Sequence, residues 1–148
     1  MKKIVVILVV LSMMLFTMSC SKDLVVNVIT NDDKVYVNDE ITFNILVQNA
    51  YDVCSCGFQL IYDTNSFDLV SGEMCMDADI SDFSDSIGVL AFSNPVDIKD
   101  TSKIMTFKLK AKNAVKNSVV SCKASFKGSD DQSISVSAVY SSSITVKA

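Results

Sequence analysis

Five cysteines, a knot of four aspartates and no histidine at all define the chemistry open to this 148-residue chain. Without histidine neither a Ser-His nor a Cys-His pair can form, which removes the common nucleophile-plus-base routes to hydrolysis. Asp77, Asp79, Asp82 and Asp85 fall within nine residues, and carboxylates about 5 to 10 Å apart do serve glycoside hydrolysis. Aspartates clustered in a loop are more often a solvated turn, and that is the expectation here. Their hard oxygens also suit calcium, but an EF-hand loop starting at Asp77 would need glycine for its sharp turn where Asp82 stands. No catalytic residue, metal ligand or cofactor is therefore expected, and Asp130 with Asp131 reads as a plain turn.

The cysteines divide into two sets. Cys20 follows a positive start (Lys2, Lys3) and a charge-free run of 15 residues, 4–18, interrupted only by Ser12 and Thr17. That is the plan of a signal peptide, and the run is short for a spanning helix, which needs about 20 apolar residues. The stretch Thr17, Met18, Ser19, Cys20, Ser21 resembles a bacterial lipoprotein processing site, which implies a diacylglycerol on Cys20. Acyl chains contribute about 0.8 kcal/mol per buried methylene, so two or three of them hold a domain firmly to a membrane. Cys54, Cys56, Cys75 and Cys122 remain. An exported domain can be oxidised, so disulfides are one reading and small buried hydrophobes the other. Zinc lacks both a histidine and the usual spacer between cysteines.

Beyond residue 19 the chain keeps 11 lysines against 17 acidic residues, a net charge of −6. All the basic residues are lysine and none cluster, so the electrostatic footprint of nucleic-acid binding is missing.

The elements that must carry these residues are strands. Ile41, Phe43, Ile45 and Val47 alternate with polar neighbours, Leu46 being the exception. Cys54, Cys56, Phe58, Leu60 and Tyr62 are expected on an inward face, with Ser55, Gly57, Gln59 and Ile61 outward. Leu90 and Phe92 follow, then Met105, Phe107, Leu109 and Ala111 opposite Thr106, Lys108 and Lys110. Residues 24–29, 34–37, 119–126, 134–140 and 143–146 complete about nine strands. No ten-residue stretch beyond the signal carries a helical period, so the expected class is all-β with two stacked antiparallel sheets.

Four segments in order, NDEITFNILVQN (38–49), GFQLIYDTNSFDLVSG (57–72), GVLAF (88–92) and IMTFKLKAKN (104–113), together resemble the cohesin family. The run ending at Tyr62 and Asp63 is the most specific element. The resemblance covers residues 24–148 and implies a nine-stranded jelly-roll β-sandwich that binds dockerins. It implies contact through outward residues of the strand at 55–62, aided by the strand at 89–93. Carried over by position, that points to Ser55, Gly57, Gln59, Ile61, Val89, Ala91 and Ser93. Ile61, Val89 and Ala91 would form an apolar patch among polar neighbours, as binding surfaces do.

The expectation is thus a signal peptide at 1–19, a lipidated cysteine and short tether at 20–23, and a cohesin-like sandwich at 24–148. Such a protein would be an exported, membrane-anchored lipoprotein facing the extracytoplasmic side or cell surface. It would tether a dockerin-bearing or other extracellular protein without catalysis, any calcium belonging to the dockerin. Polysaccharide binding is an alternative, weakened by the absence of tryptophan and the presence of only four tyrosines. A structural or adhesive surface lipoprotein with another partner is a third reading.

Overall fold

Alternation of side chains with a period of two builds every long strand and decides what the two sheets bury. The structure, a computed structural model, describes residues 22–148; the expected signal segment 1–19 and Cys20 lie outside the described residues. Twelve strands form: β1 (Val25–Thr30), β2 (Lys34–Tyr36), β3 (Glu40–Gln48), β4 (Ala50–Ile61), β5 (Phe67–Met74), β6 (Ile80–Ser84), β7 (Ile87–Ile98), β8 (Ser102–Ala111), β9 (Val115–Gly128), β10 (Ser133–Ile134), β11 (Ala138–Tyr140) and β12 (Ser142–Lys147). The first sheet runs β11-β1-β3-β8-β5 and the second β2-β12-β9-β4-β7-β6, with β10 added to β9. Only the pairs β1 with β11 and β2 with β12 are parallel.

The expected sandwich class holds, with more strands than the nine read from sequence. β5 and β6 are the additions. A bulge at Val70 breaks the alternation of β5, and β6 is an edge strand whose residues are exposed or half-buried, so neither shows a clean period. The expected strand at 134–140 is divided between the sheets, β10 pairing with β9 and β11 with β1. The aspartate cluster is likewise not one turn, since Asp82 lies in β6 and pairs with Val89.

Between the sheets the first contributes Ile41, Phe43, Ile45 and Val47 from β3 and Met105, Phe107, Leu109 and Ala111 from β8. The second contributes Val53, Cys56, Phe58 and Leu60 from β4, Leu90 from β7, and Val120, Cys122 and Phe126 from β9. Phe43 and Phe107 are direct cross-strand partners and stack at 5.1 Å. Phe58 meets Phe126 edge-on at 5.7 Å, the other geometry that ring quadrupoles favour. Each sheet therefore carries one aromatic pair into the core.

Two irregularities reset the alternation. The register of β4 shifts between Val53 and Ser55, so Val53 takes the inward place expected of Cys54, which is only half-buried. Ile104 is the extra residue of a bulge in β8 opposite Ile45 and Leu46, and it is buried together with Met105. Leu46 stays on the outer side, half-buried.

Glycines let the sheets close. A side chain at Gly72 of β5 would overlap the Phe83 ring, which reaches across from β6. One at Gly88 of β7 would meet the Met74 and Met105 sulfurs of the first sheet at 2.5 and 2.9 Å.

β4 is fixed at both ends by corners that cross between sheets. Asn49, at φ 57°, is the one residue separating β3 from β4, and its Nδ2 donates to the Asp23 carbonyl at 3.1 Å. Asparagine tolerates this left-handed conformation better than most residues. At the other end Asp63 organises the turn to β5. Its carboxylate accepts from the Ser66 hydroxyl at 2.5 Å and the Asn65 N–H at 3.0 Å, while its carbonyl accepts from the N–H groups of Ser66 and Phe67. These bonds, the Ser66 hydroxyl first and the Asn65 N–H next, hold the Asp63 carboxyl below the usual carboxylate range, with Lys112 adding to the effect. The Tyr62, Asp63 motif that carried much of the resemblance is therefore a structural corner.

All four cysteines among the described residues are free. Cys122 pairs with Leu60, four residues from Cys56 along β4, a separation of about 13 Å along the strand that no disulfide spans. Burial pushes the Cys56 thiol up to about 12 and the Cys122 thiol up to about 11.

Replacing Phe58 or Phe107 with Ala is expected to destabilise the domain by about 3 to 5 kcal/mol in urea unfolding; a loss under about 1 kcal/mol would refute the core assignment. The raised thiols predict alkaline sensitivity. Unfolded cysteine ionises near about 8.5, so the contribution of each thiol is complete below that pH and is lost as pH rises toward the folded value. Each should remove about 1.4 kcal/mol per pH unit above about pH 9. A Cys56→Val, Cys122→Val double variant should show a flatter decline between pH 9 and 10.5, and parallel curves would contradict the assignment.

Candidate functional site

Burying Cys56, Phe58 and Leu60 turns Gly57, Gln59 and Ile61 outward, and the register of the second sheet lines their neighbours up in rungs. Ile80, Ala91, Ser55 and Lys127 form the first rung across β6, β7, β4 and β9. Asp82, Val89, Gly57 and Ser125 form the second, and Ser84, Ile87, Gln59 and Lys123 the third. Beyond β7, Ile61 faces Ser121, and Val119 lies two residues further along β9, paired with Ser143 of β12.

Ten large hydrophobic side chains are exposed among the described residues, and five of them are Ile61, Ile80, Ile87, Val89 and Val119. They run diagonally from β6 through β7 and β4 to β9. Ile61 is 52 % and Ile80 59 % exposed, so neither belongs to the core. Apolar side chains concentrated on one flat face, rather than scattered, mark an interaction surface.

The residues expected from sequence fall on this face with one exception. Ser55, Gly57, Gln59, Val89 and Ala91 occupy three successive rungs, and Ile61 the next. Ser93 stands outside the first rung, where the register between β4 and β7 slips. Its N–H donates to the Asp79 carboxylate at 2.5 Å, and that bond holds the Asp79 carboxyl below the usual range. Ser93 thus anchors the segment leading into β6. Among the described residues no group of three cysteines or carboxylates is placed to hold a metal ion.

Ile80, Ile87, Val119, Lys123 and Lys127 were not foreseen. Ile87 continues the alternation of Val89 and Ala91, but its strand begins at a hairpin that the sequence does not announce. Ser84 pairs with Ile87 around Asp85 and Ser86, at φ 48° and 68°. Two-residue hairpins of this kind favour Asn-Gly or Asp-Gly, and here a serine holds the glycine place. The Ser86 carbonyl accepts from the Leu60 N–H at 2.9 Å, so β4 itself clamps the turn.

Gly57 leaves a shallow trough of about 480 Å³ at the centre of the face, bounded by Val89 and Ile87 on β7 and by Ser125, Lys123 and Lys127 on β9.

No family model and no curated protein matches this chain. The fold is nonetheless shared with solved structures of cohesin modules. A cohesin module from a family 33 glycoside hydrolase of Clostridium perfringens superposes with a TM-score of 0.67 at 16% identity, covering 84% of this chain and 97% of that one. A non-cellulosomal cohesin of the archaeon Archaeoglobus fulgidus gives 0.62 at 15% identity, over 83% and 91%. The OlpC cohesin of Clostridium thermocellum, solved in a type I cohesin–dockerin complex, gives 0.62 at 16% identity, over 84% and 94%. The chain has the cohesin fold.

The left-handed Ser86 predicts that Ser86→Gly stabilises the protein by about 0.5 to 1 kcal/mol, relief of the strained φ outweighing the added chain entropy. Thermal unfolding should rise by about 2 to 4 °C; a fall would show that the turn is not held as described.

Proposed function

We propose that the chain is a non-catalytic protein-binding module that takes a dockerin-type partner on the outer face of β9, β4, β7 and β6. The observation that carries this reading is the gathering of half the exposed large hydrophobics on one flat, four-stranded face. The likeness to cohesin structures, several of them solved with a dockerin, supports the partner class. Export, and a lipid on Cys20 holding the module at the extracytoplasmic side of a membrane, belong to the same proposal and rest on the sequence of residues 1–21. Ser21, Lys22 and Asp23 separate Cys20 from Leu24, the first buried residue among those described. A three-residue leash spans at most about 11 Å, so the partner would be held close to the bilayer.

Polysaccharide binding fits the face less well, because sugars stack on aligned aromatic rings. Tyr36 lies on β2, Tyr51 at the start of β4, Tyr62 just past its end and Tyr140 on β11. No row of rings results.

Calorimetric titration of the protein against a panel of dockerins, with calcium and with chelator, tests the reading beside a panel of cell-wall and plant polysaccharides. Calcium-dependent binding to a dockerin is expected, and Ile61→Asp should weaken it at least a hundredfold while leaving thermal unfolding unchanged. A signal from a glycan alone would move the function to carbohydrate binding. Silence from both panels would leave the structural or adhesive role.

A further inference from the structure

Gly57 stands at the middle of the central strand of the face, where glycine weakens a sheet and often marks the close approach of another molecule. Nothing local demands it. Among the described residues no glycine has a positive φ, so its backbone suits any residue. A Cβ there would meet only the Ser125 Oγ at 3.3 Å and the Gly88 carbonyl oxygen at 3.9 Å, contacts that a serine rotation relieves.

The missing side chain has a definite effect, the trough of about 480 Å³ between Val89, Ile87 and the β9 side chains. Its β7 wall is aliphatic. Its β9 rim is basic, since Lys123 faces Gln59 and Lys127 faces Ser55. Lys127 already reaches Asp131 at 3.0 Å, whereas Lys123 forms no ion pair among the described residues. Beyond the β7 wall, outside the trough, Asp82 on β6 pairs with Val89. Charge therefore runs from positive on β9 to negative on β6 across an apolar centre.

We propose that Gly57 opens a socket for one large apolar side chain of the protein partner, and that Lys123 and Lys127 receive carboxylates flanking that side chain. The inference rests on the reading of this face as protein-binding and adds the chemistry and orientation of the bound surface. A small free ligand suits the trough less well, because the apolar stripe continues beyond it to Ile61 and Val119 and would be left uncovered. Side chains that fill pockets at the centre of an interface dominate its affinity. Charges at the rim steer encounter and fix orientation. A partner with acidic groups on one side of its anchor would thus be seated in one direction only.

The probe is a peptide library displayed on phage, selected on the protein with an excess of the soluble Gly57→Val variant as competitor. Valine favours a strand, so this variant should unfold at the same temperature as the parent or higher. The recovered peptides should share a leucine, methionine or aromatic residue next to Asp or Glu. They should bind at least tenfold more weakly to Gly57→Val and to Lys123→Glu, and weaken with added salt on the parent protein. A selection that returns no peptide dependent on Gly57, or peptides without an apolar anchor, overturns the socket. The dockerin panel separates the two readings. A dockerin that binds Gly57→Val as tightly as the parent removes the socket and leaves the proposed function standing. Gly57-dependent peptides with silent dockerins keep the socket and remove the dockerin.

Discussion

The structure depends on the meeting of two apolar surfaces between the sheets, and strand geometry makes that meeting decide everything outside it. Successive side chains of a strand point to opposite faces, so the burial of Cys56, Phe58 and Leu60 leaves Gly57, Gln59 and Ile61 no choice but solvent. The first sheet carries the stacked Phe43–Phe107 pair and the second the edge-on Phe58–Phe126 pair into that interior. A slip of one residue in β4 would bury Gln59 and expose Phe58, so the register of the core and the composition of the face are one constraint.

Closing the sandwich needs small residues where side chains from the opposite layer arrive. Gly72 admits the Phe83 ring and Gly88 admits two methionine sulfurs. Gly57 differs from both because it looks outward, where no side chain of this molecule occupies its place. The same residue type therefore serves packing at two positions and leaves a depression at a third. Only the parity of each strand tells these uses apart.

Much of this is legible in the sequence. The phase of β3, of β8 and of β4 from Ser55 onward follows from alternation alone, which turns Ser55, Gly57, Gln59 and Ile61 outward; that this face should bind, and that Val89 and Ala91 belong to it, came from the resemblance to cohesins. The departures have physical causes. Cys54 lost its inward place to Val53 because a bulge resets the count, and a bulge leaves no mark in hydropathy. β5 and β6 escaped notice because sheet-edge strands need bury little on either side. With β6 went its hairpin, built on Asp85 and Ser86 without the expected glycine, and so Ile80 and Ile87 were missed. Ser93 followed the alternation of β7 but fell beyond the ladder, where its backbone serves Asp79. Val119, Lys123 and Lys127 lay on a strand whose sequence was recognised, but only the pairing of β9 with β4 shows which face they share.

The corners at the two ends of β4 also determine where the molecule can grow. Asn49 and the Asp63 turn are bound into both sheets, so extra residues at either would pull the central strand out of register. The turn after β9 is tied to β4 at its first residue, Ser129, whose N–H and hydroxyl donate to the Asp52 carboxylate, and beyond that it closes on itself. Asp131 donates its N–H to the Gly128 carbonyl, Gln132 donates its N–H to the Asp130 carboxylate, and Gly128 donates its N–H back to Gln132, a short exposed tip of the kind that tolerates insertion. It sits beside Lys127, at the margin of the first rung. A longer loop spliced between Asp130 and Asp131 would overhang the face without disturbing a strand, which makes this tip the natural place to enlarge the recognition surface by design.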